Sequence, residues 1–355
     1  MTNKNVLTAM LMASMASLNL QLFAYDPQTQ PANHTGADAL SAEMKTYYDT
    51  ELIEEAQAHL VHDQFGQKRP IPKGRGKTVE FRKFAPLAKA TTPLTEGVTP
   101  EGKSLEVTDI TAEVRQYGDF VTQTDMLELT AIDNTILEAT TLLGQQAGAT
   151  LDTITREHLH SGANVFYCPK IAEDGTETEV LSRSNLDKTS MLTVDVCKQV
   201  VAKLRAQNAP TIDGYYIAII HPYVAYDLMS DKDWTEAHKY TTPETIYKGE
   251  IGKIAGVRFV ETTEAKIYKG TGCPTGLAVF GSIFLGANAY GVTEIEGGGL
   301  ETIIKQKGSG GTSDPLNQRS SVGWKATKTA ELLVPQYLVR VESCSKRFSA
   351  TAEAN

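Results

Sequence analysis

The chain has 355 residues, 41% hydrophobic and 22% charged, the proportions of an ordinary globular protein with one large core or two smaller ones. Its formal net charge of −9 excludes a general nucleic-acid-binding surface, which needs clustered Lys and Arg to neutralise phosphates; one local basic patch, or an acidic wall that nucleic acid touches without sticking, stays compatible. No stretch approaches the roughly 20 apolar residues of a membrane span. Cys168, Cys197, Cys273 and Cys344 lie far apart with no C-x-x-C pair, which argues against zinc and redox motifs and for free thiols in a reducing compartment.

Lys4 precedes an apolar run, Val6 to Ala16, that superficially resembles a secretory signal. No small-x-small cleavage site follows, and Leu18 to Ala24 continues the apolar character, so an N-terminal arm, or Met15 as an alternative initiator, is the favoured reading. The sequon Asn33-His34-Thr35 carries no weight without a secretory context. Residues 25–42, polar and rich in Pro, Gly and Ala, read as a connector. From Ser41 the apolar positions Met44, Tyr47, Tyr48, Leu52 and Ile53 recur at helical spacing, predicting a helix that ends near His62.

Pro70 to Asp125 reads as a long extended arm. Strands are expected at Thr78–Phe84 and Ser104–Ile110, and between them Pro86 to Gly102 is polar and punctuated by Pro93, Gly97, Pro100 and Gly102. With so few apolar residues this hairpin is expected to lack a core of its own and to be covered from outside the subunit. A long helix is predicted from Thr130 to His160, opened by a capping-box-like Thr130-Ala-Ile-Asp133 and closed at Ser161-Gly162. Its stripe is Ile132, Ile136, Ala139, Leu143, Ala147, Leu151 and Ile154, and its length is roughly 45 Å at 1.5 Å per residue. Gly144 and Gly148 weaken this helix unless a neighbouring backbone packs closely there.

Residues 163–190 read as a polar surface excursion, and Thr193–Asn208 as an amphipathic helix stopped by Pro210. Tyr215–Ile220 is short and wholly apolar, the mark of a buried central strand, broken by His221-Pro222 ahead of a short helix, Tyr223 to Met229. Further strands are expected at Val257–Val260, Leu277–Leu285, Tyr290–Glu296, Ser320–Thr329 and Tyr337–Glu342, with Gly308-Ser-Gly-Gly311 as a break. Helices and strands are segregated rather than alternating, so the fold class is α+β.

No active site emerges from the chain's chemistry. Gly74-Arg-Gly-Lys77-Thr78 resembles the end of a phosphate loop, yet the pattern places its first glycine at Ile71 and needs a helix where a strand follows. Gly270 to Gly276 has the wrong spacing for a dinucleotide fingerprint, and there is no G-x-S-x-G. His59 with His62, and His158 with His160, lack a third metal ligand; His221 reads as a turn-forming corner before it reads as a catalytic imidazole. Glu51, Glu54 and Glu55 lie on a solvated helix face, and no nucleophile, base and orienting group assemble. No cofactor, metal or catalytic residue is expected.

Several segments carry a resemblance. They are Leu18–Ala24, Leu60–Gly66, Lys89–Thr99, Gln145–Arg156, Ala218–Pro222, Gly249–Phe259 and Asp314–Trp324. Together with the element order they resemble the Hong-Kong-97-type major capsid fold of tailed phages, and more particularly the coliphage N-four type of major capsid protein. The resemblance covers nearly the whole chain from Leu18; the extension Met1 to Ser17 departs from the family.

The resemblance implies an N-terminal arm and helix over 1–63, an extended loop over 64–120, and a peripheral domain over 121–191 with a spine helix at 130–160. An axial domain over 192–301 and a return to the peripheral domain over 302–355 complete the layout. It implies a structural protein that self-assembles into hexamers and pentamers of an icosahedral shell enclosing double-stranded DNA without sequence-specific binding. Portal, scaffolding and decoration proteins would be partners, a membrane would not, and assembly would take place in the bacterial host cytoplasm. Lys77, Arg82, Lys83 and Lys89 on the loop, with Glu96, are the candidate intersubunit residues; each lysine or arginine serves equally well to keep an exposed strand soluble. No Lys–Asn crosslink is assigned, and its absence is expected. The competing readings are an encapsulin-like nanocompartment shell of the same fold and, from a different class, a secreted hydrolase using His221.

Overall fold

The structure, a computed structural model, describes residues 52–355 apart from 57–58, 71–76, 85–86, 88, 95, 98, 100–101, 131–134, 173–174, 239–251, 294–299, 308 and 310–313. The signal-like run, the connector 25–42 and the start of the Ser41 helix lie outside the described residues. Within them, 52–56 is helical, while His62 to Phe65 forms turns rather than the expected helix end. The reason is a side-chain capture: the His62 N–H donates to Asp152 Oδ1 at 2.7 Å and pulls the chain out of helical geometry.

Two bodies of structure organise the chain. In the first, the spine helix Thr135–His160 lies on a three-stranded antiparallel sheet, Leu300–Lys305, Arg319–Lys328 and Arg115–Thr124, in that order. Leu143, Ala147 and Leu151 on the helix pack with Val322, Trp324 and Ala326 on the sheet and with Leu52, Ala56 and Leu60 from the preceding segment. The strand Leu300–Lys305 spans the expected boundary at 301–302 and belongs wholly with this sheet.

The described part of the spine runs Thr135–His160, and a helical stretch Asp125–Thr130 precedes it; the expected start signal Thr130-Ala-Ile-Asp133 lies mostly outside the described residues. Thr124 supplies the earlier start signal, its Oγ1 accepting the Leu127 N–H at 3.4 Å in helix-capping fashion.

The glycines of the spine have the predicted cause. A β-carbon at Gly148 would stand 2.5 Å from the Ala56 carbonyl oxygen, and one at Gly144 would stand 3.1 Å from that of Leu52. The helical segment 52–56 therefore crosses the spine backbone to backbone. Gly148→Ala should improve intrinsic helix propensity by about 1 kcal/mol yet lose about 1–3 kcal/mol net by overpacking this crossing. Urea unfolding measures the sign, and a stabilised variant would contradict the close approach.

The second body is a seven-stranded mixed sheet. Its path runs Val165–Tyr167, Leu338–Ser343, Val279–Leu285, Tyr216–Ile220, Val257–Glu261, Lys253–Ile254, with Ile267–Tyr268 pairing beside Val279–Leu285. Tyr216–Ile220 is buried on both faces. Tyr216, Ala218 and Ile220 face the cluster containing helix Val194–Ala206, and Ile217 and Ile219 face Leu159, Ile283 and Tyr290. That two-sided burial explains its unbroken apolar run.

The chain's end divides between the bodies. Arg319–Lys328 returns to the spine, as expected, but Leu338–Ser343 inserts between Val165–Tyr167 and Val279–Leu285. Val339 and Val341 bury into the same core as Ala218 and Phe280, burial that a peripheral location would forfeit. A small sheet, Gln67–Arg69, Tyr290–Thr293 and Ala330–Leu332, joins the two bodies.

Candidate assembly surface

The hairpin is built from Thr78–Phe84 and Val107–Glu113, in continuous antiparallel register from Thr78 opposite Glu113 to Phe84 opposite Val107. The second strand lies three residues beyond the expected Ser104–Ile110, because Ile110 and Ala112 are the residues that point inward with Val79 and Phe81. Val79, Phe81 and Ala112 are buried against Leu333 and Val334, and the Phe81 ring lies over Gly291, where a β-carbon would collide with it. The expectation that the hairpin has no core is thereby corrected for its root. What remains uncovered is the loop beyond, with Leu87, Leu94 (78% exposed) and Leu105, together with Val107 at the start of the second strand.

The five candidate residues occupy two levels of this arm. Lys77 is exposed at the bend leading into the first strand, its carbonyl accepting the Val114 N–H at 2.8 Å. Arg82 Nε lies 3.5 Å from Asp109 Oδ1 on the opposing strand, so its charge is already partnered within the hairpin. Both groups are more than half exposed, which limits that pair to about 0–1 kcal/mol. Lys83 stands opposite Thr108 in the ladder. Lys89 and Glu96 are exposed in the loop, and none of the described ion pairs involves Lys77, Lys89 or Glu96. The structure does not gather the five into one patch.

A second uncovered surface was not anticipated. Arg115–Thr124 is an edge strand of the three-stranded sheet, ten residues long, hydrogen-bonded through its register with Arg319–Lys328 on one side. It exposes Phe120 (66%) and Val121, and the helix that follows exposes Met126 and Leu127. The Phe120-Val121 pair inside an otherwise polar strand was the available signal. Gln146 on the spine straps this edge down: its amide donates to Asp119 Oδ2 at 2.7 Å while its carbonyl accepts from Trp324 Nε1 at 3.2 Å. That amide, with the Phe120 N–H, holds the Asp119 carboxyl below its ordinary range.

Behind both surfaces sits a buried polar lock that no sequence pattern signalled. Lys328, fully buried, pairs through Nζ with Asp63, whose other oxygen accepts the Thr155 hydroxyl at 2.6 Å. Next to it, His62 Nδ1 lies 2.6 Å from Asp152 Oδ2, and the Tyr290 hydroxyl donates to the His62 carbonyl. The lock ties the segment entering the hairpin arm to the spine and to the end of the returning strand.

Two further described histidines, His221 and His160, have structural partners. His221 caps helix Pro222–Met229, its Nδ1 accepting the Tyr223 N–H at 3.1 Å, and its ring packs 5.2 Å from that of Phe280. Burial lowers its pKa to about 4, consistent with a neutral imidazole committed to the cap. His160 is buried with Nδ1 3.0 Å from the Tyr268 hydroxyl, and burial, reinforced by nearby His62 and Arg340, holds its pKa well below the ordinary value. His59 and His158 are exposed. Among the described residues no group of three or more His, Cys, Asp or Glu could hold a metal ion, and no helix is long and apolar enough to cross a membrane. All four cysteines are free; burial raises the thiol pKa values of Cys197 and Cys344 to about 12.

A long spine helix on a three-stranded sheet, a mixed central sheet and a hairpin make up a fold that this chain shares with solved phage-capsid structures, among them the following three. The capsid of Ralstonia phage GP4 is 13% identical, with a TM-score of 0.62, covering 92% of this chain and 98% of that one. The capsid asymmetric unit of cyanophage Pam1 is 13% identical, with a TM-score of 0.60 over 92% and 99%. The capsid of cyanophage P-SCSP1u is 14% identical, with a TM-score of 0.58 over 79% and 87%. No curated protein matches the chain. The family model described as phage capsid protein matches residues 32–307, and the chain belongs to that family. It is a structural major capsid protein of the virion, associating with copies of itself, and the family match favours the phage shell over the nanocompartment reading.

Proposed function

We propose that the chain assembles into hexamers and pentamers of an icosahedral shell around double-stranded phage DNA, with the hairpin of each copy lying over its neighbour. The observation that carries this reading is the pair of uncovered apolar surfaces. The loop offers Leu87, Leu94 and Leu105 with Val107 at the adjoining strand end, and the edge strand with its following helix offers Phe120, Val121, Met126 and Leu127. Covering such side chains contributes about 1.5–3 kcal/mol for each one fully buried, and a long open strand edge invites pairing with another chain. Lys77, Lys83, Lys89 and Glu96 are the charged contacts of this clasp, and Arg82 with Asp109 stiffens it.

In this reading the spine body is the peripheral domain and the seven-stranded sheet the axial domain. Residues 1–63 act as an N-terminal arm. The chain has no catalytic role, and assembly takes place in the host cytoplasm with portal, scaffolding and decoration proteins as partners. The net charge of −9 supports a wall that encloses DNA without binding it. Negative-stain electron microscopy of the purified protein tests the proposal: closed shells built from this one chain are expected, and a monomer that never assembles would sink it.

A further inference from the structure

The two ends of the seven-stranded sheet carry opposite, unspent charge. At one end is the edge strand Val165–Tyr167; at the other is the edge strand Lys253–Ile254, about 24 Å away at ~4.8 Å per strand. Helix Val194–Ala206 lies over the sheet between them, leaving an open groove along each side. One groove, about 670 Å³, includes Phe166, Tyr167, Val180, Leu181 and Lys203 in its lining. The other, about 790 Å³, includes Val201, Ala202, Arg205, Ile254 and Ala255.

The first groove has an acidic lip. Lys170–Ile171 and Glu177–Thr178 form a small hairpin over it, with Glu177 and Glu179 exposed beside Leu181, itself 78% exposed. The second groove has a basic lip. Lys253 and Arg258 stand directly opposite one another in the ladder, and Arg205 approaches Gly256 in the turn joining the two strands. Like charges facing one another across a ladder repel. Lys253 lies over the Tyr215 ring, but none of the described ion pairs involves Lys253, Arg258 or Arg205. Lys198, in the same groove, is by contrast neutralised by Asp233 at 3.2 Å.

We infer that these ends are the two halves of one contact between copies of the chain: the acidic lip of Glu177, Glu179 and Leu181 of one copy seats on the Arg205, Lys253 and Arg258 lip of the next. The occupant is a second copy because both charged surfaces are exposed on the same chain, at opposite edges of one rigid sheet. A two-fold contact made edge to edge would set acid against acid or base against base. A head-to-tail contact sets acid against base and closes into a ring when its rotation allows. Leu181 supplies the apolar anchor, and the charge pairs fix register and exclude the reversed orientation.

This inference rests on the shell reading, and charge swapping separates the two. Glu177→Lys with Glu179→Lys makes both lips basic; Lys253→Glu with Arg258→Glu makes both acidic. Each pair should cut the yield of closed particles in gradient sedimentation by roughly tenfold or more through like-charge juxtaposition. Circular dichroism should stay unchanged, since all four side chains are exposed. The fourfold variant, with both lips reversed, should recover particles to near the wild-type yield. Closed wild-type shells alongside unaffected charge-reversed pairs would overturn the contact and leave the shell reading standing. A fourfold variant no better than either pair would overturn it as well.

Discussion

Replacing Lys328 by methionine is expected to destabilise the subunit by about 3–5 kcal/mol, the usual cost of leaving one partner of a buried ion pair uncompensated. Lys328 is fully buried, and once its ammonium is gone the Asp63 carboxylate keeps only the neutral Thr155 hydroxyl, at 2.6 Å. Asp63 cannot retreat to water, because the same turn is held by His62 on Asp152 and by the Tyr290 hydroxyl on the His62 carbonyl. Exchanging both partners, Lys328→Met with Asp63→Leu, removes the orphaned charge and should recover stability to within about 1 kcal/mol of wild type. Urea unfolding followed through Trp234 and Trp324, both buried, reads the difference. A single variant with a wild-type midpoint would show the lock to be energetically idle, and a double variant no better than the single one would show that the orphaned Asp63 charge is not the cause of the loss.

Excising Pro86 to Gly102 and closing the gap with a short Gly-Ser turn should abolish closed shells while leaving the subunit folded. The described residues of that stretch are exposed, so their removal should change unfolding stability by less than about 1 kcal/mol. The root survives, because Val79, Phe81 and Ala112 stay buried on Leu333 and Val334. What disappears is the outer part of the loop with exposed Leu87 and Leu94, while Leu105 and Val107 remain next to the root. Electron microscopy and circular dichroism on the same sample separate assembly from folding. Stable shells at the wild-type yield would remove the loop from assembly, and loss of secondary structure would mean that the loop supports the fold itself.

Both experiments depend on residues that differ in how far they could be seen from the chain alone. The arm was visible as Pro, Gly and Thr between two short strands, but its anchoring was not. Phe81 over Gly291 and Ala112 beside Leu333 join positions some two hundred residues apart, and no local pattern reports that distance. The edge strand Arg115–Thr124 was hidden for a related reason: it has little alternation of burial, because both of its faces are largely exposed in the subunit. Helix-start chemistry also occurs at Thr124 and Asp125, ahead of the Thr130 signal, and their side-chain contacts appear only in the folded chain.

The elements legible in the chain alone are those whose signal is local and repeated. Apolar spacing near 3.6 marked the spine and the Val194–Ala206 helix, an unbroken apolar run marked Tyr216–Ile220, and Gly144 and Gly148 announced a close backbone crossing before any partner was known. Parts of the spine and of the Tyr216–Ile220 strand also lie within the segments that carried the family resemblance. Strand pairing came only from the folded chain, which places Leu338–Ser343 in the central sheet and Arg319–Lys328 against the spine. Folding also brings Asp63, Thr155 and Lys328 to one point and sets an acidic lip and a basic lip at opposite edges of one sheet. The physical reason is range. Helical and strand periodicity arise from neighbours within a turn, whereas pairing, charge compensation and exposure depend on what the folded chain brings near from far away.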